Sequence, residues 1–472
     1  MSTPASLPSP APAFASSNGS AIPYVPVAGQ RAAAAARRQA YPYRFPRDHR
    51  LLGGRFSVDE NARRLLRFFY LERRLMQALG AWTLSLPEFE VKLETGRHIF
   101  YHGDAARLLR ERLSEQELRL PDVDQFRDAG IDRLLDELLS AANAPELLVG
   151  AHQVLGRALA TAYRHHIDDT DPVTDVPTIR CLRRILSDYE PMLAWADEAI
   201  AAYVTGGVEE SPLAAWRWHL QRLLSSMGGV TGSETRGEAP APLRSAAKPF
   251  VRGTVPLRDV RFDTFKNTGD YDVADAQERF PKDSYEALRL RFIRTQRDEI
   301  DAIEAFGTFI WDIRFQDFQA EYDLARITWD EARHTEIGHR ALLAAGYDPF
   351  ELPNRLTGST CRGPMEPAFA MAEINLFGEV GVLKTINNLI DAARERHDEL
   401  LRHISDFIRS DERTHVRKGA RIIKVMTNLD AKDLELRTRE LFTECLVSLG
   451  AVNKDMDVFT VSREDIEHLV GE

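Results

Sequence analysis

Residues 320–346 read AEYDLARITWDEARHTEIGHRALLAAG, and residues 398–426 read DELLRHISDFIRSDERTHVRKGARIIKVM. Both repeat apolar residues at helical spacing, and the first closes at Gly346 just before Asp348-Pro349, a helix stop. Each holds D-E-x-x-H, as Asp330-Glu331-Ala332-Arg333-His334 and as Asp411-Glu412-Arg413-Thr414-His415. Residues i and i+3 of a helix face one side, so a carboxylate and an imidazole reach a common metal ion. Two such helices supply two Glu and two His. A di-metal carboxylate bundle needs one further Glu from each of two more helices.

Working outward, Glu304 precedes the first motif in line with Ile300, Ile303, Gly307 and Trp311. Glu379 precedes the second in line with Ala372, Leu376, Val382, Leu383 and Ile386. A carboxylate inside an apolar stripe is costly unless it is paired or binds a metal. The separations, 331 − 304 = 27 and 412 − 379 = 33, suit antiparallel helices joined by a loop. Glu373 rivals Glu379 but sits about 120° away on the same helix. Glu299 rivals Glu304, and its neighbours Gln296 and Arg297 read as solvent-facing.

With 72 acids and 13 His in 472 residues, chance supplies about two acid-x-x-His pairs, and the chain holds four. Glu336-His339 is turned by about 140° from the first motif, and Asp465-His468 has no partner helix. Both read as surface pairs. Duplication, the preceding Asp and the upstream Glu set the other two apart.

These residues resemble the ferritin-like superfamily, and D-E-x-R-H at Asp330–His334 is similar to its di-iron oxygenases and desaturases. In the second copy the arginine, Arg413, stands one place early. The resemblance implies that Glu331 and Glu412 bridge two irons and that His334 and His415 each cap one. Glu304 and Glu379 would be terminal ligands, and Asp330 and Asp411 would accept from the imidazole N–H groups. It covers residues 286–425. The whole chain also resembles an uncharacterised bacterial ferritin-like family and, more distantly, a tRNA-modifying hydroxylase.

The rest of the chain reads as all-α. Residues 1–45, rich in Ala, Pro and Ser, read as a disordered tail. Residues 46–226 form an N-terminal helical domain, 227–284 a Pro/Gly-rich linker, 285–430 the di-iron domain and 431–472 a helical extension with a Ser462/Asp465 capping box. Arg236, Arg244, Lys248, Arg252, Arg258 and Arg261 of the linker read as solvated charges. The first half reads as a degenerate repeat: His102 lies over Glu331 and Ala105 over His334 at an offset of 229, and Tyr189 over Glu412 and Met192 over His415 at 223. Glu94, His98 and His102 share a helical face that Glu72 can approach, but core or solvated roles fit these groups, His152 and His165-His166 better than a second metal. Such a half packs against the catalytic half, shapes a pocket or makes a dimer contact.

Net charge, 61 − 72 = −11, opposes DNA binding and counts against a tRNA substrate. Three scattered cysteines, Cys181, Cys361 and Cys445, argue against a disulfide scaffold or thiolate zinc site and for a reducing compartment. No membrane span or secretory signal is visible, which predicts a soluble, cytoplasmic protein. No Walker A, dinucleotide or Fe–S motif stands out. Trp311, Trp329, Phe306 and Phe377, each within a turn of a candidate ligand, are core or pocket-lining aromatics.

The expectation is a two-iron, O2-dependent oxidoreductase, with Mn or mixed Mn/Fe as the metal alternative. It would act on a small organic substrate by hydroxylation, N-oxygenation or desaturation, with an external electron donor and a homodimer as the candidate assembly. The alternatives are a ferroxidase or iron-handling protein and a non-catalytic helical interaction protein.

Overall fold

The computed structural model describes residues 29–46, 52–266, 279–281 and 284–452, and these are mostly helical. In order, the helices are α1 (Gln30–Ala40), α2 (Val58–Trp82), α3 (Phe89–Glu115), α4 (Leu120–Gln125), α5 (Ala129–Leu139), α6 (Ala144–Leu148), α7 (Arg157–Asp169), α8 (Val176–Thr205), α9 (Glu210–Ser226) and α10 (Arg244–Ala247). After residue 284 come α11 (Tyr285–Arg297), α12 (Ile300–Asp312), α13 (Phe318–Ala344), α14 (Thr357–Arg362), α15 (Pro367–Ala372), α16 (Glu379–Glu395), α17 (Glu399–Met426) and α18 (Ala431–Ser448). π-helical segments join α6 to α7 (Val149–Gly156) and α15 to α16 (Glu373–Gly378). Two short strands, β1 (Thr264–Phe265) and β2 (Asn354–Arg355), pair in parallel.

Local chemistry sets the main helix starts. Ser57 accepts from the Glu60 N–H at α2, Asp317 from Ala320 at α13, and Asp398 from Leu401 at α17. Their first turns carry acids (Asp59 and Glu60, Glu321, Glu399) that complement the helix dipole.

The helix order recurs. The starts of α2, α3, the first π segment, α8 and α9 precede those of α11, α13, the second π segment, α17 and α18 by 227, 229, 224, 223 and 221 residues. Contacts between the halves are reciprocal, as across a two-fold axis. A Cβ on Gly80 of α2 would lie 2.5 Å from the carbonyl oxygen of Gly307 on α12, and 307 − 80 = 227. On α3 and α13, Gly96 faces Ala332 and Gly103 faces Ala325, with 325 − 96 and 332 − 103 both 229. Gln77 donates to Glu321 (2.8 Å), while at the related positions Glu304 pairs with Lys92. One hydrophobic cluster, running from Ala62 to Leu434, takes side chains from both halves.

Several expectations change here. Residues 30–40 of the tail form a helix, α1, in keeping with the helix propensity of QRAAAAARRQA. The described part of the 227–284 segment is tied down by side chains. Arg258 is buried against Asp301, Glu304 and Asn354, and Arg252 pairs with Asp312 at 2.8 Å. Arg244 pairs with Glu146 (2.6 Å), and Arg261 bridges Asp259 and Glu90. These four arginines are therefore structural ion-pair partners. Arg236 and Lys248 are exposed. Cys361 of α14 and Cys445 of α18 form a disulfide, because the fold brings their Cα atoms to 5.7 Å across 84 residues of chain. Cys181 is free. The Ser462/Asp465 capping box and Asp465-His468 lie outside the described residues. Among those described, no helix is long and apolar enough to cross a membrane.

Candidate metal centre

Four segments converge on one buried volume. α13 brings Glu331 and His334, α17 brings Glu412 and His415, α16 brings Glu379 at its first residue, and Glu299 caps α12. Two groups result, in each of which one ligand atom per residue lies within 4.8 Å of the others. One comprises Glu299, Glu331, His334 and Glu412; the other comprises Glu331, Glu379, Glu412 and His415. Glu331 and Glu412 belong to both.

Each imidazole presents Nδ1 to the carboxylates. His334 Nδ1 lies 3.1 Å from Glu299 and 3.4 Å from both Glu331 and Glu412. His415 Nδ1 lies 3.1 Å from Glu331, 3.0 Å from Glu412 and 3.9 Å from Glu379. The Nε2 atoms face the aspartates crosswise. His334 of α13 meets Asp411 of α17, and His415 of α17 meets Asp330 of α13, both at 3.4 Å. Arg333 pairs with both aspartates, and Arg326 adds a 2.8 Å contact to Asp330. Asp330 and Asp411 thus take the acceptor positions expected for them.

Burial sets the protonation balance. It pushes Glu299 up to about 8. It also holds Glu379 well above the usual carboxylate range, aided by the charge of Glu412. Burial alone would lower both histidines, but surrounding carboxylates outweigh it and hold His334 and His415 well above their ordinary value. Burial would raise Glu331 and Glu412, yet contacts with the histidines and, for Glu412, Glu379 hold both below normal. Without ions, these shifts favour charged imidazoles, ionised Glu331 and Glu412, and protonated Glu299 and Glu379.

A pair of divalent cations fits this donor set. Buried Glu299 Oε2, Glu331 Oε1 and His334 Nδ1 make no hydrogen bond and point into the cluster. Four ionised carboxylates balance two dications, so ions that displace the cluster's protons leave no net charge in a buried site. Oxygen and imidazole donors suit iron or manganese.

Glu304 is not part of this cluster. It lies 500°, or about 140° net, around a continuous helix from Glu299 at ~100° per residue, on the face turned toward the N-terminal half. There it pairs with Lys92 and Arg258 and accepts from Ser359. The helix breaks between α11 and α12 at Asp298-Glu299, which the unbroken stripe from Ile300 to Trp311 did not show. Gln296 and Arg297 are buried rather than solvent-facing; Arg297 donates to the carbonyls of Pro349, Leu352 and Pro353. The signal for Glu299 was the repeat itself, since 299 − 72 = 227 puts it at the position of Glu72. Glu373 is held by Arg362 at 2.6 Å, outside both groups.

In the N-terminal half, Glu72 accepts from Tyr163, from Tyr189 (2.7 Å) and faces His102 Nδ1 (2.6 Å), all fully buried. His98 and His152 share a 3.0 Å contact, and burial lowers His152 to about 3. Glu94 pairs with Arg97 and lies 3.8 Å from His98, and His166 contacts Asn61. None of these belongs to a metal-holding group among the described residues. Trp329 stacks on Phe100 at 4.7 Å, whereas Trp311 lies at the far end of α12, beside Phe250.

Compared with known proteins, the chain matches no family model, no curated protein and no solved structure.

Proposed function

We propose that the chain is a ferritin-like, di-iron, O2-dependent oxidoreductase acting on a small organic substrate. The observation that carries this reading is the pair of buried Glu/His groups sharing Glu331 and Glu412. Glu331 and Glu412 would bridge the ions. His334 with Glu299 would hold one, and His415 with Glu379 the other. Irons bound there would supply reductive activation of O2 for substrate oxidation, with electrons from an external donor.

The chain's own residues prepare that chemistry. Asp411 and Asp330 receive the imidazole Nε2–H groups, which keeps each Nδ1 facing the cluster, where its lone pair would be free for an ion once its proton has left. Arg333 holds both aspartates, so the two histidines are oriented by a common guanidinium. Burial excludes water, and Glu299 and Glu379 keep the protons that would leave when ions enter.

The test is metal content after anaerobic Fe(II) loading, followed by the optical spectrum on exposure to O2. About two irons per chain and an O2-dependent absorption change are expected. Less than one metal per chain with an unchanged spectrum would overturn the reading and favour a non-catalytic helical scaffold.

A further inference from the structure

Besides a surface cleft lined by residues 31–41 alone, two large clefts lie away from the metal centre. In one, of about 930 Å³, every arginine is committed: Arg64 to Glu60, Arg157 to Asp197, and Arg217 to the Gln153 amide oxygen. The other, of about 840 Å³, lies among α2, α5, α10 and the turn between α12 and α13. Its arginines are Arg74, Arg127, Arg133 and Arg314, against two acids, Asp132 and Asp136. Four minus two leaves +2 in a chain of −11.

Three of these four cations have no acid partner among the described residues. Arg127 donates to the carbonyls of Asp124 and Phe126, and Arg314 to that of Trp311. Among the described residues, neither they nor Arg133 form an ion pair. Arg74, 4% exposed, is the one that pairs with both acids, Asp132 at 3.3 Å and Asp136 at 3.4 Å. Burial and the neighbouring Arg74 charge lower Arg314, the signature of crowded cations.

The walls are aromatic. The Arg127 guanidinium lies 3.8 Å from the centre of the Phe315 ring, and that of Arg314 lies 4.1 Å from Trp311. Phe315 adopts φ 67°, a costly backbone geometry for a residue with a side chain, and Glu321 accepts its N–H at 2.7 Å. Tyr70 and Phe250 complete the apolar surface. Arginine pairs bidentately with phosphate and carboxylate and stacks on flat rings, so this combination recognises both ends of an aromatic anion. From Glu299 to Arg314 is fifteen residues, about 20 Å along a helix, so the cleft is separate from the metal centre.

We propose that this cleft binds a small planar organic molecule carrying a phosphate or paired carboxylates. Arg127 and Arg314 grip the anion, and Trp311 and Phe315 contact the ring. The test is calorimetry on the full chain with 1-naphthyl phosphate and with phthalate, using inorganic phosphate as reference. Saturable binding of at least one aromatic probe is expected, weakened about tenfold or more by Arg127→Ala or Arg314→Ala, and weakened by added salt. The probe that binds tells phosphate from carboxylate. Both arginines are exposed, so circular dichroism should show an unchanged fold. Trp311→Phe should abolish the ligand-dependent fluorescence change yet retain measurable heat. The proposal fails if no aromatic probe saturates, if the double arginine variant binds as the parent does, or if inorganic phosphate binds equally tightly.

Discussion

The two halves carry the same helices in the same order but use their buried polar groups differently. At the position of Glu299 the N-terminal half has Glu72; in place of Glu331 and Glu412 it has His102 and Tyr189; in place of His334 and His415 it has Ala105 and Met192. One carboxylate there accepts from two phenols and contacts His102 Nδ1, so both of its oxygens are engaged, while His102 Nε2 makes no hydrogen bond. The C-terminal half packs four carboxylates around two imidazoles and leaves ligand atoms without hydrogen bonds. A common backbone frame thus supports either a network built on one engaged carboxylate or a cluster of four carboxylates and two imidazoles that could hold ions. Side-chain identity at these four positions, and at Glu379, decides which.

The largest effect should separate the halves by metal content. Glu331→Ala or His415→Ala should lose most of the bound iron while circular dichroism shows retained helix. His102→Ala should keep about two irons per chain. Equal iron loss in both halves would erase the contrast.

Next come the two upstream glutamates of the C-terminal half. Glu304→Ala should destabilise the fold by about 3–5 kcal/mol in denaturant titrations, because it leaves buried Lys92 without its acid and buried Arg258 with Asp301 alone. Its iron content should stay unchanged wherever it folds. Glu299→Ala should do the reverse, weakening metal retention with little loss of stability. An exchange of these phenotypes would restore Glu304 as the ligand.

Glu72→Ala should cost about 1–3 kcal/mol by leaving two phenols and an imidazole unpaired, with metal content intact. Measured loss of iron in this variant would show that the N-terminal network supports the centre.

The smallest effect is a pH dependence. Glu299 titrates near 8 in the fold against about 4.5 unfolded, so the folded chain binds the extra proton between those values. The raised histidines add to this above about 6.5. Stability of the metal-free protein should therefore fall as pH rises from about 6.5 to 8, while metal affinity rises. A melting temperature of Glu299→Gln as steep in pH as the parent would discount the Glu299 share.

Much of this was legible locally. Helix identity and the Glu-x-x-His pairs follow from the 3.6-residue period, which short-range spacing reports faithfully, whereas the aspartates' role was implied by the family resemblance. Glu379 was placed in the same way and lies in the cluster. Periodicity failed at Asp298-Glu299, because a two-residue break resets the phase and no Pro or Gly marks it. It also failed for Arg258 and Lys92, whose partners lie 46 and 212 residues away.

By itself the sequence determined which segments are helices and which acids and imidazoles share a helical face, since both depend on neighbours within a turn or two. Only the tertiary structure decided that Glu299 rather than Glu304 joins the cluster, that four linker arginines form ion pairs, and that Cys361 meets Cys445. Those outcomes depend on how the two halves pack across the Gly80–Gly307 crossing and on which distant charge each buried group meets there, and local periodicity carries no record of either.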